Sequence, residues 1–497
     1  MHTSKEETSG PSLGIFISIK SQFKAVSLPL DSIPYPWPPK LKSADYNRVG
    51  IQALNKDISH GAMHDSAERD PPPRCHPGTR EKATEDIVRW IDGSDPSSNV
   101  LWVNGRAGVG KSALMQKIAE LGLIYFGGCF FFRRGTAGRS VKDHLFCTLA
   151  YQLAMKVPGM LELVDRAMVL DFSLPKKSAT LQLQRLIIEP IRLLPIPPRP
   201  TIIIVDGLDE CEDFNSQRDI LRLIGEVTKD RDIAVRFIIA SRPEHQICEM
   251  FNEEPLLSKT RRLVLDQGYD TAADIEWYLR DKFEETHLRN KDIMPDIENP
   301  WPSKYDLHML VWRASGQFIY AATVIKFVSS DMDFYTPQEK LEIILKPSPM
   351  QASAFSELDR LYTQILSLYS DPEVLVYTLG VIDALESLEI PEYLTSPALI
   401  GAITGFGEGK VQRVLRALQF TTEIRIEPVF DDDDANEPNG TVIQWVKLSH
   451  RSFHDFLTDR ARSGPYFIDM EVFPGRIRLR ILELATIFIK ELKENRW

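Results

Sequence analysis

One eight-residue stretch constrains the fold of this chain more than any other. Residues 105–112 read Gly-Arg-Ala-Gly-Val-Gly-Lys-Ser and fit the pattern GxxxxGK[ST] without a mismatch. Glycines let the backbone curl until several N–H groups converge on one anion, the lysine adds a positive charge, and the serine offers a hydroxyl to Mg²⁺. Such a loop needs a buried strand before it and a helix after it, whose positive dipole end faces the anion. Apolar residues 100–103 and the helical periodicity of 112–121 supply both.

A second element, an acidic turn, follows another apolar run. Residues 201–205 read as a buried strand and lead directly into Asp206-Gly-Leu-Asp209-Glu210. An acid at the end of a buried strand has little structural purpose unless it faces a cation, and beside a phosphate loop that cation is Mg²⁺. We therefore expect Asp206 and Ser112 to hold the metal. Asp209 or Glu210 would orient or deprotonate the attacking water, and the sequence does not choose between them.

An arginine follows the next strand. Residues 235–240 are apolar and end in Ser-Arg242-Pro, where the guanidinium could contact a γ-phosphate. A surface ion pair is the alternative for Arg242. Together these motifs predict a site for ATP or ADP with Mg²⁺, with Asp209, Glu210 and Arg242 as catalytic candidates. The residues expected to bind the nucleotide from the loop are Gly105, Arg106, Ala107, Gly108, Val109, Gly110, Lys111, Ser112 and Ala113.

The order of patterns along the chain predicts the architecture. Apolar strands alternate with helices up to about 250, which indicates a parallel sheet with helices on both faces, the α/β core of a P-loop NTPase. Helical periodicity dominates from 265 onward. A helix over 409–419, strands over 423–430 and 441–448, and a helix over 453–460 have the order of a winged helix. The predicted domains are a poorly defined, proline-rich extension at 1–74, an NTPase domain at 75–262, a helical domain at 263–370, and a winged-helix-like and C-terminal helical region at 371–497.

Composition excludes several classes of protein. The 497 residues carry 59 Lys and Arg against 70 Asp and Glu, a net charge of −11 that gives no general basic surface for nucleic acid. The five cysteines form no CxxC pair, so neither a disulfide framework nor a zinc site is indicated. The longest apolar run, 123–132, is half the length of a membrane helix. No secretory signal is found at the start. We expect a soluble, cytoplasmic protein without a membrane partner.

The motifs in this order resemble the NACHT family of STAND P-loop NTPases, in the fungal type also called nephrocystin-like. The resemblance covers roughly 75–460. It implies a switch in which ADP locks the core against the helical and winged-helix parts, and ATP opens it and promotes self-association. It also implies slow ATP hydrolysis, an effector or sensor partner, and a role in signalling of the innate-immunity or heterokaryon-incompatibility kind, as in relatives of NOD-like receptors. The stretches that carry it are 75–80 (CHPGTR), 101–105 (LWVNG), 148–153 (TLAYQL), 205–211 (VDGLDEC), 240–243 (ASRP), 316–322 (GQFIYAA) and 448–457 (LSHRSFHDFL).

The resemblance also assigns residues outside the loop. In the family a winged-helix histidine touches the ADP phosphate, and His450 stands at the matching position; a helix cap is the alternative from the sequence alone. Relatives place a proline under the adenine, whereas this chain reads Gly-Gln-Phe at 316–318. We expect backbone groups near Thr79 and Arg80 to contact the adenine instead. Relatives usually carry C-terminal repeats, which are not found in this sequence up to Trp497. We expect either that the chain is truncated or that a partner supplies the sensor.

Other classes of function stay open. A fast-turnover P-loop ATPase or kinase would share the loop, but no substrate-specific motif follows Asp206. A winged-helix nucleic-acid-binding regulator would use the basic edge formed by Lys410, Arg413 and Arg416, which the overall negative charge opposes. A degenerate NTPase serving only as a scaffold would not need the intact Lys111.

Overall fold

A computed structural model gives the fold of the chain. The residues that the structure describes are 48–93, 98–195, 199–230, 232–265, 269–297, 300–330, 335–346, 357–369, 371–388, 390, 395–418, 422–431, 434–448 and 450–494.

A five-stranded parallel sheet organises the first half of the described chain. Its strands are β1 (Val100–Asn104), β2 (Phe126–Phe131), β3 (Thr201–Asp206), β4 (Val235–Ser241) and β5 (Thr260–Val264). They lie in the order β2-β3-β4-β1-β5. The predicted parallel α/β sheet is confirmed, but the sequence analysis missed β5. This strand occupies an edge and exposes two adjacent arginines, so it lacks the continuous apolar run that identified the others.

Strand register brings the motifs to one end of the sheet. Strand β4 lies between β1 and β3, with Asn104 beside Ser241 and Asp206 beside Ala240. The carboxyl ends of parallel strands meet at the same edge, so the loops that follow β1, β3 and β4 converge there. Apolar residues of β1 alternate between two buried clusters, with Trp102 in one and Leu101 in the other. Helices therefore cover both faces of the sheet.

The helices of this half connect the strands. They are α1 (Val49–Leu54), α2 (Glu81–Asp92), α3 (Lys111–Glu120), α4 (Leu145–Lys156), α5 (Met160–Leu170), α6 (Ala179–Leu183), α7 (Glu189–Arg192), α8 (Phe214–Lys229), α9 (His245–Phe251) and α10 (Leu256–Lys259). A π-helical turn, Gln184–Ile188, joins α6 to α7.

Residues 50–74 differ from the expectation of a loose extension. Ile51 and Leu54 are buried in the larger cluster under the sheet. The backbone N–H of Ile51 donates to Asp165 Oδ1 at 2.9 Å. This stretch therefore packs as part of the α/β layer. The domain boundary predicted at 74 lies within that layer and not at its edge. The part of the proline-rich extension before residue 48 lies outside the described residues.

The second half of the described chain is mostly helical. One apolar cluster runs from Ile275 to Ile477, so the predicted boundary between 370 and 371 does not separate two cores. Its helices are α11 (Thr271–Arg289), α12 (Lys304–Ala314), α13 (Phe318–Val328), α14 (Pro337–Leu345), α15 (Glu357–Leu366), α16 (Pro372–Ser387), α17 (Pro397–Thr404), α18 (Glu408–Ala417), α19 (Arg451–Leu457), α20 (Arg460–Ser463) and α21 (Phe473–Glu494).

A hairpin stands between α18 and α19. Strands β6 (Thr422–Asp431) and β7 (Asp434–Leu448) pair antiparallel, with Thr422 beside Leu448. The helix–hairpin–helix order agrees with the predicted pattern, although β7 begins at Asp434 and not near 441 as expected. Across the ranges given above, no helix has both the length and the apolar character needed to cross a bilayer.

Candidate functional site

The glycine-rich loop forms a cradle between β1 and α3. Gly108 and Gly110 have φ angles of 75° and 92°, a left-handed region that glycine enters without strain. The Lys111 ammonium folds back over the loop, where its Nζ donates to the carbonyls of Gly105 at 2.7 Å and Arg106 at 2.9 Å. Helix α3 begins at Lys111, so the N–H groups of its first turn point into the same concavity. The arrangement fits a chain of phosphates.

Asp206 lies at the end of β3 and faces the start of α3. It is almost fully buried, and its Oδ1 has no hydrogen-bond partner among the described residues. Burial raises the pKa of Asp206 to about 6, against a hydrogen bond from Ser112 that lowers it. An orphaned carboxylate oxygen beside a hydroxyl is a pair of hard oxygen donors, which fits Mg²⁺. The described residues contain no cluster of three or more metal-ligating side chains, and Mg²⁺ at phosphates needs none.

The two acids after Asp206 have different environments. Asp209 is buried and fully engaged: its Oδ1 accepts from the backbone N–H of Arg242 at 2.9 Å, and its Oδ2 lies 3.2 Å from Arg242 Nε and 3.4 Å from Arg451 Nη1. The Glu210 carboxylate lines the cavity and has no hydrogen bond or ion pair within the described parts of the chain. Burial, reinforced by the neighbouring Asp209, raises the pKa of Glu210. Of the two, only Glu210 has a carboxylate available to a water molecule.

Arg242 connects the sheet to the C-terminal region. Its Nη1 donates to Asp455 Oδ2 at 2.7 Å, and Arg451 Nε lies 3.6 Å from Asp455 Oδ1. Both Arg451 and Asp455 belong to α19. Two acids and two arginines thus form one ion-pair network, which we call the α19 clamp: Asp209, Arg242, Arg451 and Asp455. The surface ion pair considered for Arg242 is in fact a partly buried pair that joins two regions of the chain.

His450 caps α19 and also lines the cavity. Its Nδ1 accepts from the backbone N–H of Ser452 at 3.0 Å, the contact expected of an N-cap. Burial lowers the pKa of His450 to about 4, and the nearby Arg242 charge acts in the same direction. The ring is therefore neutral, with its proton on Nε2, because Nδ1 accepts. The two alternatives weighed from the sequence, cap and ligand contact, are compatible in this geometry.

The helical region closes on the loop from the other side. The backbone N–H of Ile319, in the first turn of α13, donates to Gly108 O at 3.1 Å. A Cβ on Gly108 would lie 2.1 Å from Ile319 Cγ2, so only glycine permits this approach. The Gly-Gln-Phe stretch that replaces the expected proline motif leads directly into this contact.

Thr79 and Arg80 have other partners. The Arg80 N–H donates to Asp274 Oδ2 at 3.0 Å, and its guanidinium donates to Val109 O and Thr271 Oγ1. The Thr79 N–H donates to His76 O. Adenine contact through these N–H groups would require breaking both hydrogen bonds, so the geometry gives that expectation no support. Arg80 instead ties the loop to α11.

These walls enclose a cavity of about 980 Å³, within the usual range for small-molecule sites. It is lined by loop residues, Asp206 and Glu210 on the sheet side, and by Lys326, His450 and Arg451 on the other.

Two further arginines in the wall were missed by sequence reasoning. Arg69 comes from the stretch interpreted as a linker, and Arg139 follows β2 in an irregular loop. Neither lies in a motif, so no local signal could have found them. Arg451 and Asp455 were also missed, although both stand in the 448–457 stretch that carried the family resemblance.

Comparison with known families locates the core. The family described as Nephrocystin 3, N-terminal, matches residues 78–242. This span holds the phosphate loop, Asp206 and the end of β4. The chain contains a P-loop NTPase-like core. The nephrocystin-like part of the resemblance is confirmed over those residues, about a third of the chain. No curated protein sequence matches the chain significantly.

Solved structures resemble the chain only distantly, in both sequence and fold. A Signal Transduction ATPase with Numerous Domains (STAND) protein with a tetratricopeptide repeat sensor, from Pyrococcus horikoshii, is 12% identical over 83% of this chain, with a TM-score of 0.43. The chain spans 46% of that protein. The Aeropyrum pernix ORC1 protein in complex with DNA is 15% identical over 84% of this chain and 95% of its own, with a TM-score of 0.28. Drosophila ORC bound to DNA is 12% identical over 87% of this chain and 96% of its own, with a TM-score of 0.30.

Proposed function

We propose that this chain is an ATP- and ADP-binding molecular switch of the STAND, NACHT-like type, with slow Mg²⁺-dependent ATP hydrolysis. The observation that carries the proposal is the α19 clamp. An arginine positioned to contact a γ-phosphate is instead paired with Asp455, a residue more than 200 positions further along the chain. A γ-phosphate and Asp455 would compete for the same guanidinium, so the third phosphate of ATP would weaken the clamp, whereas ADP would leave it intact.

Hydrolysis would use the carboxylates in separate roles. Mg²⁺, held by Ser112 and Asp206, would neutralise charge on the β- and γ-phosphates. Glu210 would accept a proton from a water molecule as its oxygen bonds to the γ-phosphorus. The bond from phosphorus to the β,γ-bridging oxygen breaks, leaving ADP and orthophosphate. A raised pKa makes Glu210 a stronger base than an exposed glutamate. Asp209 would hold Arg242 and take no part in proton transfer.

His450 would favour the ADP state. Its Nε2–H is free to donate towards the cavity because Nδ1 is occupied by Ser452. A donor that reaches a β-phosphate only while α19 lies against the sheet would stabilise the closed arrangement. We expect His450→Ala to weaken ADP retention more than ATP binding, with equal loss for both nucleotides contradicting this role.

The wider role follows from the resemblance. Within this proposal, release of α19 and the helical region exposes surface for self-association and for an effector or sensor partner in the cytoplasm. The helix–hairpin–helix unit would act as a winged helix that holds the closed state. The biological setting would be signalling of the innate-immunity-like kind.

The first experiment measures nucleotide content and turnover. The protein is purified without added nucleotide and denatured, and the released nucleotide is identified by chromatography. Stoichiometric ADP, slow release of a fluorescent ADP analogue, and ATP turnover well below about 1 s⁻¹ are expected of a switch. Sustained faster turnover would indicate a working ATPase or kinase. An empty site that Mg-ATP does not stabilise thermally would rule out nucleotide binding altogether.

A further inference from the structure

Two buried arginines in the cavity have no described carboxylate within ion-pair distance, although Asp206 acts electrostatically on Arg69, and Glu68 and Glu210 act on Arg139. Arg139 is 4% exposed and Arg69 is 9% exposed. In the described ranges neither guanidinium forms an ion pair with a carboxylate. Buried charges in proteins are normally paired because taking an ion out of water is costly. Two unpaired guanidinium groups in one wall therefore indicate a missing anion.

Both side chains are held at the end of β2. The Arg69 guanidinium lies 3.7 Å from the centre of the Phe131 ring and donates to Gln116 Oε1 at 3.0 Å. Arg139 donates through Nε to the Phe131 carbonyl at 3.3 Å. These contacts use one face and one nitrogen of the Arg69 guanidinium and a single nitrogen of Arg139. They orient the two groups and leave N–H donors for a ligand.

The position relative to the metal site suggests which anion this is. Arg69 belongs to the same part of the wall as Asp206, and Gln116, its partner, lies one turn after Ser112 on α3. Arg139 shares the wall with Glu210, and burial lowers its pKa to about 9, with Arg133 and Arg69 adding repulsion. With Mg²⁺ on Asp206, positive charge would predominate here. An anion beyond the β-phosphate would offset this charge.

We infer that Arg69 and Arg139 form a phosphate subsite at the Asp206 end of the cavity, which takes either the γ-phosphate of ATP or the orthophosphate left after hydrolysis. The inference rests on the proposed function, because it presumes nucleotide in the loop. It differs from the role of Arg242, which is already paired with Asp455, and it makes the 50–74 segment part of the nucleotide site. Nothing in the P-loop motif requires either arginine.

The test compares ligands that differ only in phosphate. Isothermal titration calorimetry with Mg²⁺ would measure the affinity of the full chain for ADP, for AMP-PNP, and for orthophosphate added to the ADP-bound protein. The variants are Arg69→Met and Arg139→Met, which keep length and remove charge. Arg134→Met is the matched control, because Arg134 lines the same cavity but is exposed and donates only to the Asp209 carbonyl.

We expect each test variant to bind either AMP-PNP or orthophosphate about 10-fold or more weakly than the parent does. Its affinity for ADP should stay within about 2-fold of the parent. A loss confined to AMP-PNP identifies the γ-phosphate as the ligand, and a loss confined to orthophosphate identifies the product. Equal loss for ADP and AMP-PNP, or no loss for any ligand, overturns the inference. Because an unpaired buried charge is removed, the melting temperature without nucleotide should hold or rise. A variant that fails to fold would mark its arginine as structural and overturn the inference for that residue. Parent protein that binds neither nucleotide would contradict the proposed function itself.

Discussion

The α19 clamp makes a quantitative prediction for Asp455→Asn. This substitution removes the carboxylate that holds Arg242 but keeps the size and polarity of the side chain. Arg242 retains its contact with Asp209, so the sheet should be undisturbed. The change should therefore act on the attachment of α19 and leave the nucleotide loop as it is.

The size of the effect follows from burial and distance. The Arg242–Asp455 pair is separated by 2.7 Å, and the two side chains are only 19% and 24% exposed. Hydrogen bonds between charged groups in such surroundings contribute about 2 kcal/mol, against about 0.5 kcal/mol for pairs in open solvent. A loss of about 2 kcal/mol shifts the equilibrium between closed and open arrangements roughly 30-fold. If opening limits release of ADP, its rate constant should rise by a similar factor.

Stopped-flow release of a fluorescent ADP analogue, chased with excess ADP, measures this rate. Glu483→Gln is the control, since it breaks an exposed pair with Arg480 on α21, away from the cavity. A release rate for Asp455→Asn within about 2-fold of the parent, in a protein with an unchanged melting temperature, would refute the view that the clamp holds the closed state.

Three further predictions concern single residues. Lys111→Ala should abolish nucleotide binding measured by calorimetry while circular dichroism stays unchanged; retained affinity would contradict the loop assignment. Glu210→Gln should suppress phosphate release from bound ATP at unchanged stability. Asp209→Asn should lower the free energy of unfolding by about 3 kcal/mol, because two partly buried arginines each lose one of their two acidic partners and keep only Asp455. Burial lowers the pKa of His454, but Asp383 at 2.7 Å raises it above 6.5 overall, so the stabilisation by this pair is complete below about pH 6.5 and is lost as pH rises through the higher pKa. Melting temperatures should therefore fall more between pH 6 and 9 in the parent than in His454→Gln, and parallel curves would exclude this pair as the cause.

The parts of the site that the sequence predicted are local ones. The loop and Asp206 could be assigned because their chemistry is written in consecutive residues next to apolar strands. The choice between Asp209 and Glu210 could not be made, because it depends on Arg451, 241 positions after Glu210. For Arg242 the sequence left a phosphate contact and an ion pair open. Its partner Asp455 could not be named, because Asp455 lies on a helix whose docking no local pattern shows.

The misses have physical reasons as well. Residues 50–74 looked unstructured because irregular segments carry no periodicity, yet Ile51 and Leu54 are buried as deeply as the strands. Strand β5 has no continuous apolar run, because two of its five residues are the exposed Arg261 and Arg262. The adenine contact expected near Thr79 and Arg80 stays a prediction, and the sequence does not show that the Arg80 N–H already donates to Asp274.

The backbone of Arg80 has a strained conformation. Its φ of 58° lies in the left-handed region, which costs a residue with a Cβ about 1 kcal/mol or more. Contacts to Asp274, Thr271 and Val109 hold it there. Thr271 and Asp274 both lie in the first turn of α11. If α11 moved away from the loop in the proposed switch, these contacts would break and the turn at Arg80 could relax. The proposed closed and open arrangements would then differ less in free energy than the contacts across the cavity suggest, which would make the balance between them more sensitive to a single phosphate group.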